Sequence, residues 1–307
     1  TGSTGPRAKG LQAEGEPALT LAADRSSLSA ACLAMQGQSD SYVFFGYVDQ
    51  LMVGEALAEQ GLRPVLDYFA RDRELGLGAQ LWLVRDSTAR EAVSAGGAEG
   101  IDKRLETLQH DSEMGIASLT RTAGEVYTDL LEQGAAFVPA LSPAGDGGAV
   151  LVEQGYGVLK GDALAGFLSG ETAKGLELLV GGPSADILEV ELPEGRVSAK
   201  ITASYPKSSL DFQGDIPSRL HTIGEIEARL TEYQQRPGRQ TLQEIERALG
   251  RQERERLERA LERLQAWGTD CAGLGAKAAV ACPARWQGVQ TDWSGWFSRI
   301  PIELEVE

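Results

Sequence analysis

The stretch from Leu242 to Val306 constrains the fold more than any other part of this 307-residue chain. Leu242, Ile245, Leu249, Leu257, Leu261, Leu264 and Trp267 recur at helical spacing. The six Glu and six Arg between Glu244 and Arg263 are expected on the opposite face, with Glu255 and Arg259 at the favourable i,i+4 offset. Gly250 weakens the middle of this helix. At the far end Ile300, Ile302, Leu304 and Val306 alternate with Arg299, Glu303 and Glu305, the pattern of a strand with one buried and one wet face. From the end of the helix to the strand lie four of the five tryptophans, Trp267, Trp286, Trp293 and Trp296, joined by Phe297. Each ring can bury ~150–250 Å². They are expected to wedge the helix onto the terminal strand. An interface built on the same rings is the competing reading.

Upstream, residues 1–18 lack apolar period and read as a flexible linker. Residues 19–142 mix helical and strand patterns and form an expected N-terminal α/β domain. Val48, Leu51, Met52, Leu57 and Ala58 suggest a helix stopped by Gly61, and Pro64 starts another that carries Val65, Leu66 and Phe69. Gln80 to Val84 reads as a strand, with Ser87 capping a short helix that ends at Gly96-Gly97. Leu119, Ala123, Val126, Tyr127, Leu130 and Leu131 give one helical face, closed at Gly134 before a strand over 136–141. The run Ser142 to Gly148 has a turn-only composition and marks the expected domain boundary. Residues 148–184 then form a small middle segment or domain, and 185–307 a C-terminal α+β domain with a hairpin at Pro193-Glu194-Gly195. The fold class expected is mixed α/β (α+β), in several domains whose largely antiparallel sheets pack with helices.

Charge and chemistry narrow the function. Asp and Glu number 45 against 29 Lys and Arg, a net charge of −16, which disfavours binding to nucleic-acid backbones or anionic lipid. No run reaches the ~18–20 apolar residues of a membrane span. Cys32, Cys271 and Cys282 form no C-x-x-C pair, and His110 and His221 lack metal-ligand spacing. No cofactor, metal or catalytic residue is expected. Gly155 to Gly161 has the wrong glycine spacing for a nucleotide turn and reads as a strand end. Ser204-Tyr205-Pro206-Lys207 has the S-x-x-K form, but Pro206 opposes the helix that an acylating serine needs.

Residues spread along the chain carry a resemblance to one known family. The resemblance is carried near the C-terminus by Asp270, Gly273 and Gly275 after a long charged helix, then by Pro283, Trp286, Trp293 and Phe297 before a closing strand. Gly157-Val158-Leu159-Lys160, Asp162, Leu164, Gly166, Leu168, Glu171-Thr172 and Gly175-Leu176 carry it in the middle. Gly46, Gly54-Glu55, Ala58, Gly61, Asp67 and Arg71-Asp72 carry it in the N-terminal half. Tyr47 stands where many relatives have His.

In these residues the chain resembles the Ger(x)C family, the C subunits of spore germinant receptors, and the resemblance implies a non-enzymatic lipoprotein of sporulating cells that serves assembly or signal relay in spore germination. Its partners would be the membrane-embedded receptor subunits A and B. Its place would be the outer face of the spore inner membrane, held by a lipid anchor on a segment absent from this chain. Trp267, Trp286, Trp293, Trp296, Phe297, Arg71 and Asp72 are the candidate structural or interface residues. The alternative is an extracytoplasmic carboxylate-dependent hydrolase, using a pair such as Asp211 and Asp215, or a solute-binding module.

Overall fold

The computed structural model describes residues 2–4, 19–40, 42–43, 45–72, 75–95, 100–145, 150–192, 195–233 and 239–307. The Gly96-Gly97 helix end, the Pro193-Glu194 turn and residues 5–18 of the expected linker lie outside the described residues.

A first, mixed sheet organises the N-terminal half. After the short pair β1 (Gly2–Thr4) and β2 (Leu19–Leu21) and helix α1 (Leu28–Gln36) come β3 (Gln50–Gly54), α2 (Glu55–Gln60), α3 (Arg63–Arg71) and β4 (Gln80–Val84). Next are α4 (Ala89–Ser94), α5 (Asp102–Glu113), α6 (Ala123–Glu132), β5 (Ala135–Ala144), β6 (Val150–Lys160) and β7 (Ala163–Leu168). The strands lie in the order β3-β4-β5-β6-β7, the first three parallel and the rest antiparallel. Val53, Leu81, Leu83 and Val138 pack on one face with Ala58, Leu62, Leu66 and Val126 from α2, α3 and α6. Trp82, Val84 and Leu141 pack on the other with Ala92, Leu105 and Leu108 from α4 and α5. Parallel strands joined by helical crossovers need this cover on both faces.

Both-sided burial explains one departure from the sequence reading. Leu51, Met52 and Val53 belong to strand β3, not to a helix: Val53 faces one core and Met52 the other. A short continuous apolar run fits a doubly covered strand as well as a helix turn, so periodicity alone does not separate them. A second correction concerns α4, whose cap is Thr88, one residue later than Ser87. Thr88 and Glu91 form a reciprocal capping box, and Ser87 Oγ donates to Glu91 Oε2 at 2.6 Å. Leu131 points to solvent, 61% exposed, and leaves the apolar face of α6 to its neighbours. The first sheet runs across the turn-rich stretch, because β5 and β6 pair from Ala144 and Val150 back to Ala135 and Lys160.

The second sheet follows α7 (Glu171–Val180) and comprises β8 (Gly182–Pro183), β9 (Ile187–Leu192), β10 (Gly195–Gln213) and β11 (Ile216–Glu232). It is completed, after α8 (Arg239–Trp267), α9 (Leu274–Ala279), α10 (Pro283–Val289) and α11 (Trp293–Phe297), by β12 (Ile302–Val306). β10 and β11 form a long hairpin around Gly214, and β12 lies parallel to β11. Leu188, Val197, Ala199 and Ile201 cover Ile245 and Leu249 in the first half of α8. Leu210, Leu220 and Leu304 share a core with Leu257, Ala260, Leu261 and Leu264 of its second half.

Ser204 and Lys207, read as S-x-x-K in the sequence, both lie in β10. Residues three apart on a strand face opposite sides, so the pair cannot converge. Ser204 Oγ donates to the Leu178 carbonyl, and Lys207 pairs with Glu225. Pro206 stands beyond the β10 residues that β8 and β9 pair with, where its missing N–H is tolerated.

Helices α7 and α8 cross closely. A Cβ on Gly175 would lie 2.3 Å from the Arg256 carbonyl oxygen and 2.8 Å from the Ala260 Cβ. Gly175→Ala is therefore expected to force the helices apart and cost about 1–3 kcal/mol. Urea unfolding of wild type and variant measures this.

Candidate functional site

Three groups of polar side chains organise the helices of the second half, and the third of them also ties these helices to the first sheet. The first is centred on Asp270, just after α8. Its Oδ1 accepts from the Leu274 N–H at 2.9 Å, and its Oδ2 accepts from the Gly275 N–H and the Trp293 Nε1–H, each at 2.7 Å. Burial pushes the Asp270 carboxyl up, while the three donors pull it down. Gly275 has no room for a side chain, since a Cβ there would meet Trp293 Cε2 at 2.4 Å and the Trp286 ring at 2.6 Å. Gly273 sits at φ +68°, the left-handed turn that brings the chain back under Asp270. The spacing Asp270, Gly273, Gly275 is thus a seat for an indole.

The tryptophan cluster packs on this seat. Trp293 is 6% exposed and Phe297 fully buried, and Trp286 meets Trp293 edge to face at 5.0 Å between centroids. Trp267 lies against Gly166 of β7, and its carbonyl accepts from Lys160 Nζ at 2.8 Å, joining the end of α8 to the first sheet. Trp286 and Trp296 are partly buried against the same core, with the Arg299 guanidinium 4.4 Å from the Trp296 ring centroid. Arg71 and Asp72 lie elsewhere, at the end of α3: Arg71 is exposed and reaches Asp67 at 3.8 Å, and the Asp72 N–H closes the helix on Tyr68. The structure does not join them to the tryptophans.

The second group is centred on Arg256, whose side chain is 8% exposed. Its Nε donates to Glu171 Oε2 of α7 at 2.5 Å. Its Nη1 donates to Asp186 Oδ2, just before β9, at 2.5 Å and to Glu253 Oε1 at 2.9 Å. Burial opposes its charge, but the three carboxylates hold the guanidinium protonated. Glu253 is 2% exposed, and burial pushes its carboxyl from its ordinary 4.5 up to about 7, against the pull of Arg256. These two residues correct the expectation that every Glu and Arg of the long helix faces solvent. The signal was present: positions 253 and 256 continue the stripe of Ile245, Leu249, Leu257 and Ala260.

The third group joins the halves directly. The Tyr156 hydroxyl, on β6, donates to Glu177 Oε1 of α7 at 2.7 Å and accepts from the Leu119 N–H at 2.6 Å, while Lys174 Nζ donates to Glu177 Oε2 at 2.8 Å. Burial and the neighbouring Glu177 raise the Tyr156 phenol well above its ordinary value. α7, the segment around Ser184 and the middle of α8 enclose a narrow cleft between the second and third groups.

Asp211 and Asp215 do not line this cleft. Asp211 pairs with His221 at 2.8 Å on an exposed strand face, where Glu303 lies 3.3 Å from the other ring nitrogen, and Asp215 is exposed in the β10–β11 turn. His110 is exposed on α5 and lies 3.9 Å from Glu113. Among the described residues no group of three His, Cys, Asp or Glu has the arrangement of a metal site, and Cys32, Cys271 and Cys282 are free thiols.

Residues 154–307 match the model of the spore germination B3/GerAC-like family, C-terminal part, and residues 3–143 match that of the spore germination protein N-terminal domain. Among solved structures, that of the GerBC protein is similar in fold, with a TM-score of 0.69 at 19% identity, over 87% of this chain and 80% of that one. No curated protein matches.

Two predictions come from this geometry. Trp293→Phe removes one of three donors to a buried carboxylate, and is expected to cost about 1–3 kcal/mol in chemical denaturation. Glu253, with its folded pKa above its unfolded one, contributes stability that is full below about pH 4.5 and lost as pH rises through about 7. Glu253→Gln removes that loss. In tetramethylammonium chloride the variant should gain on wild type by on the order of 1–3 kcal/mol between pH 5 and pH 8, as read from unfolding midpoints.

Proposed function

We propose, from the premise that this chain belongs to the spore germination B3/GerAC-like family, that it is the C subunit of a germinant receptor and works as a structural and relay component. The observation that carries the relay role is the cross-bracing of the two sheets. Tyr156, Glu177, Lys160 and Trp267 tie the first sheet to α7 and α8, and Arg256 ties α8 to α7 and the start of β9. A displacement at one sheet then moves the other, since packed interiors transmit strain and do not absorb it.

The buried polar groups support the same reading. Asp270 and Arg256 hold backbone and carboxylates of neighbouring elements, the work of braces between segments. The carboxylates of the hydrolase alternative stand on an exposed strand and in an exposed turn, where neither acquires the apolar surroundings that tune a general acid. With a net charge of −16 the chain gains nothing from an anionic membrane surface. Among the described residues no helix is long and apolar enough to cross a membrane. From the family resemblance we propose that it is attached by a lipid on a preceding segment together with contacts to the membrane-embedded A and B subunits. One acyl chain alone holds a protein only marginally.

Spores carrying a tagged, lipidated full-length form provide the test. The tagged protein is expected to co-purify with both membrane subunits after solubilisation, and Asp211→Asn with Asp215→Asn is expected to leave germination unchanged. Recovery of the chain without either subunit, or loss of germination in the double variant with folding intact, would overturn the proposal.

A further inference from the structure

We infer that the cleft between α7, Ser184 and the middle of α8 holds a single small monovalent cation, ammonium or an alkali metal ion, against Oε2 of Glu253. The inference is independent of the receptor role.

Glu253 is shut away from solvent, yet only half of its carboxylate is used. Oε1 accepts from Arg256, and no hydrogen-bond donor among the described residues reaches Oε2. Buried carboxylate oxygens without partners are costly. The protein's own cations do not fill the gap: Arg256 is occupied by Glu171, Asp186 and Glu253, and Lys174 donates to Glu177. Among the charged groups that line the cleft, Glu177, Asp186 and Glu253 face Lys174 and Arg256, which leaves the lining with one excess negative charge when all are ionised. A neutral water would satisfy a lone pair and leave that excess untouched, whereas a monovalent cation answers both. The cleft has room for one particle of about a water's size, and Ser184 and Ser204 line it with further oxygens. That room excludes bulky ammonium compounds.

Binding is coupled to a proton. Burial together with Asp186 and Glu171 favours the neutral carboxyl, while Arg256 opposes them. A cation at Oε2 favours the ionised form, so ion binding near neutral pH is accompanied by proton release from the fraction of molecules in which Glu253 is protonated.

The test is thermal unfolding in 100 mM ammonium, potassium, sodium or tetramethylammonium chloride, at pH 8 and at pH 5. At pH 8 at least one small cation is expected to raise Tm by about 2 °C or more over tetramethylammonium. Which salt does so separates ammonium from alkali ions. At pH 5, with Glu253 protonated, the difference should vanish, and Glu253→Gln should lack it at both pH values. Equal Tm in all four salts at pH 8, an ion-specific shift that survives at pH 5, or the same shift in Glu253→Gln would overturn the inference. The wild-type pH comparison decides the matter even if the variant fails to fold.

Discussion

The guanidinium of Arg256 is the interaction on which the second half of the molecule depends. It emerges from the middle of the longest helix, on the face that packs inward, and takes carboxylates from three places in the chain: Glu171 on α7, Asp186 ahead of β9, and Glu253 one turn earlier on α8. A buried arginine with three carboxylates is weak evidence of net stabilisation, because desolvation offsets much of the attraction. It is strong evidence of specified geometry. The planar fork accepts few arrangements, so it fixes where α7 crosses α8 and where the β9–β10 ladder begins. Gly175 makes the crossing possible by letting the Arg256 backbone approach within the space of a missing side chain.

The aromatic end of the chain depends on this placement in turn. Once α8 is fixed, Trp267 reaches the first sheet and Asp270 leaves the helix at the point where it can collect Leu274, Gly275 and Trp293. The indoles then fill the space between helix and final strand, which sets β12 beside β11. The result is a body in which both sheets are held by buried, oriented polar contacts, which suits a subunit that passes a displacement between partners.

Much of this was legible in the residues. The 3.6 period of the long helix and the alternation of Ile302, Leu304 and Val306 each report a single buried face, and a single face leaves a period. The expectation that the tryptophans cover the helix came from the same reasoning, since an amphipathic helix and a half-buried strand both need cover; Trp293 is buried, while Trp267, Trp286 and Trp296 are half-buried against the same core. Where two faces are buried the period disappears, and Leu51 and Met52 read as part of a helix for that reason. Where a strand is long and polar, as from Ser204 to Gln213, its partner is what makes it a strand, and no local pattern says so. Glu253 and Arg256 were hidden by their own charge: composition assigned them to water, while their positions placed them on the apolar stripe.

Amide hydrogen exchange of Arg256→Met against wild type tests the brace most directly. Removing one member of a buried ionic group is expected to cost about 3–5 kcal/mol, because the remaining carboxylates are left without their cation. If the guanidinium fixes the three segments together, α7 and the β9–β10 ladder lose protection in concert with the middle of α8, although neither contains the substituted residue. Protection lost within α8 alone, or unchanged throughout, would show that packing holds these segments without Arg256 and would contradict the account.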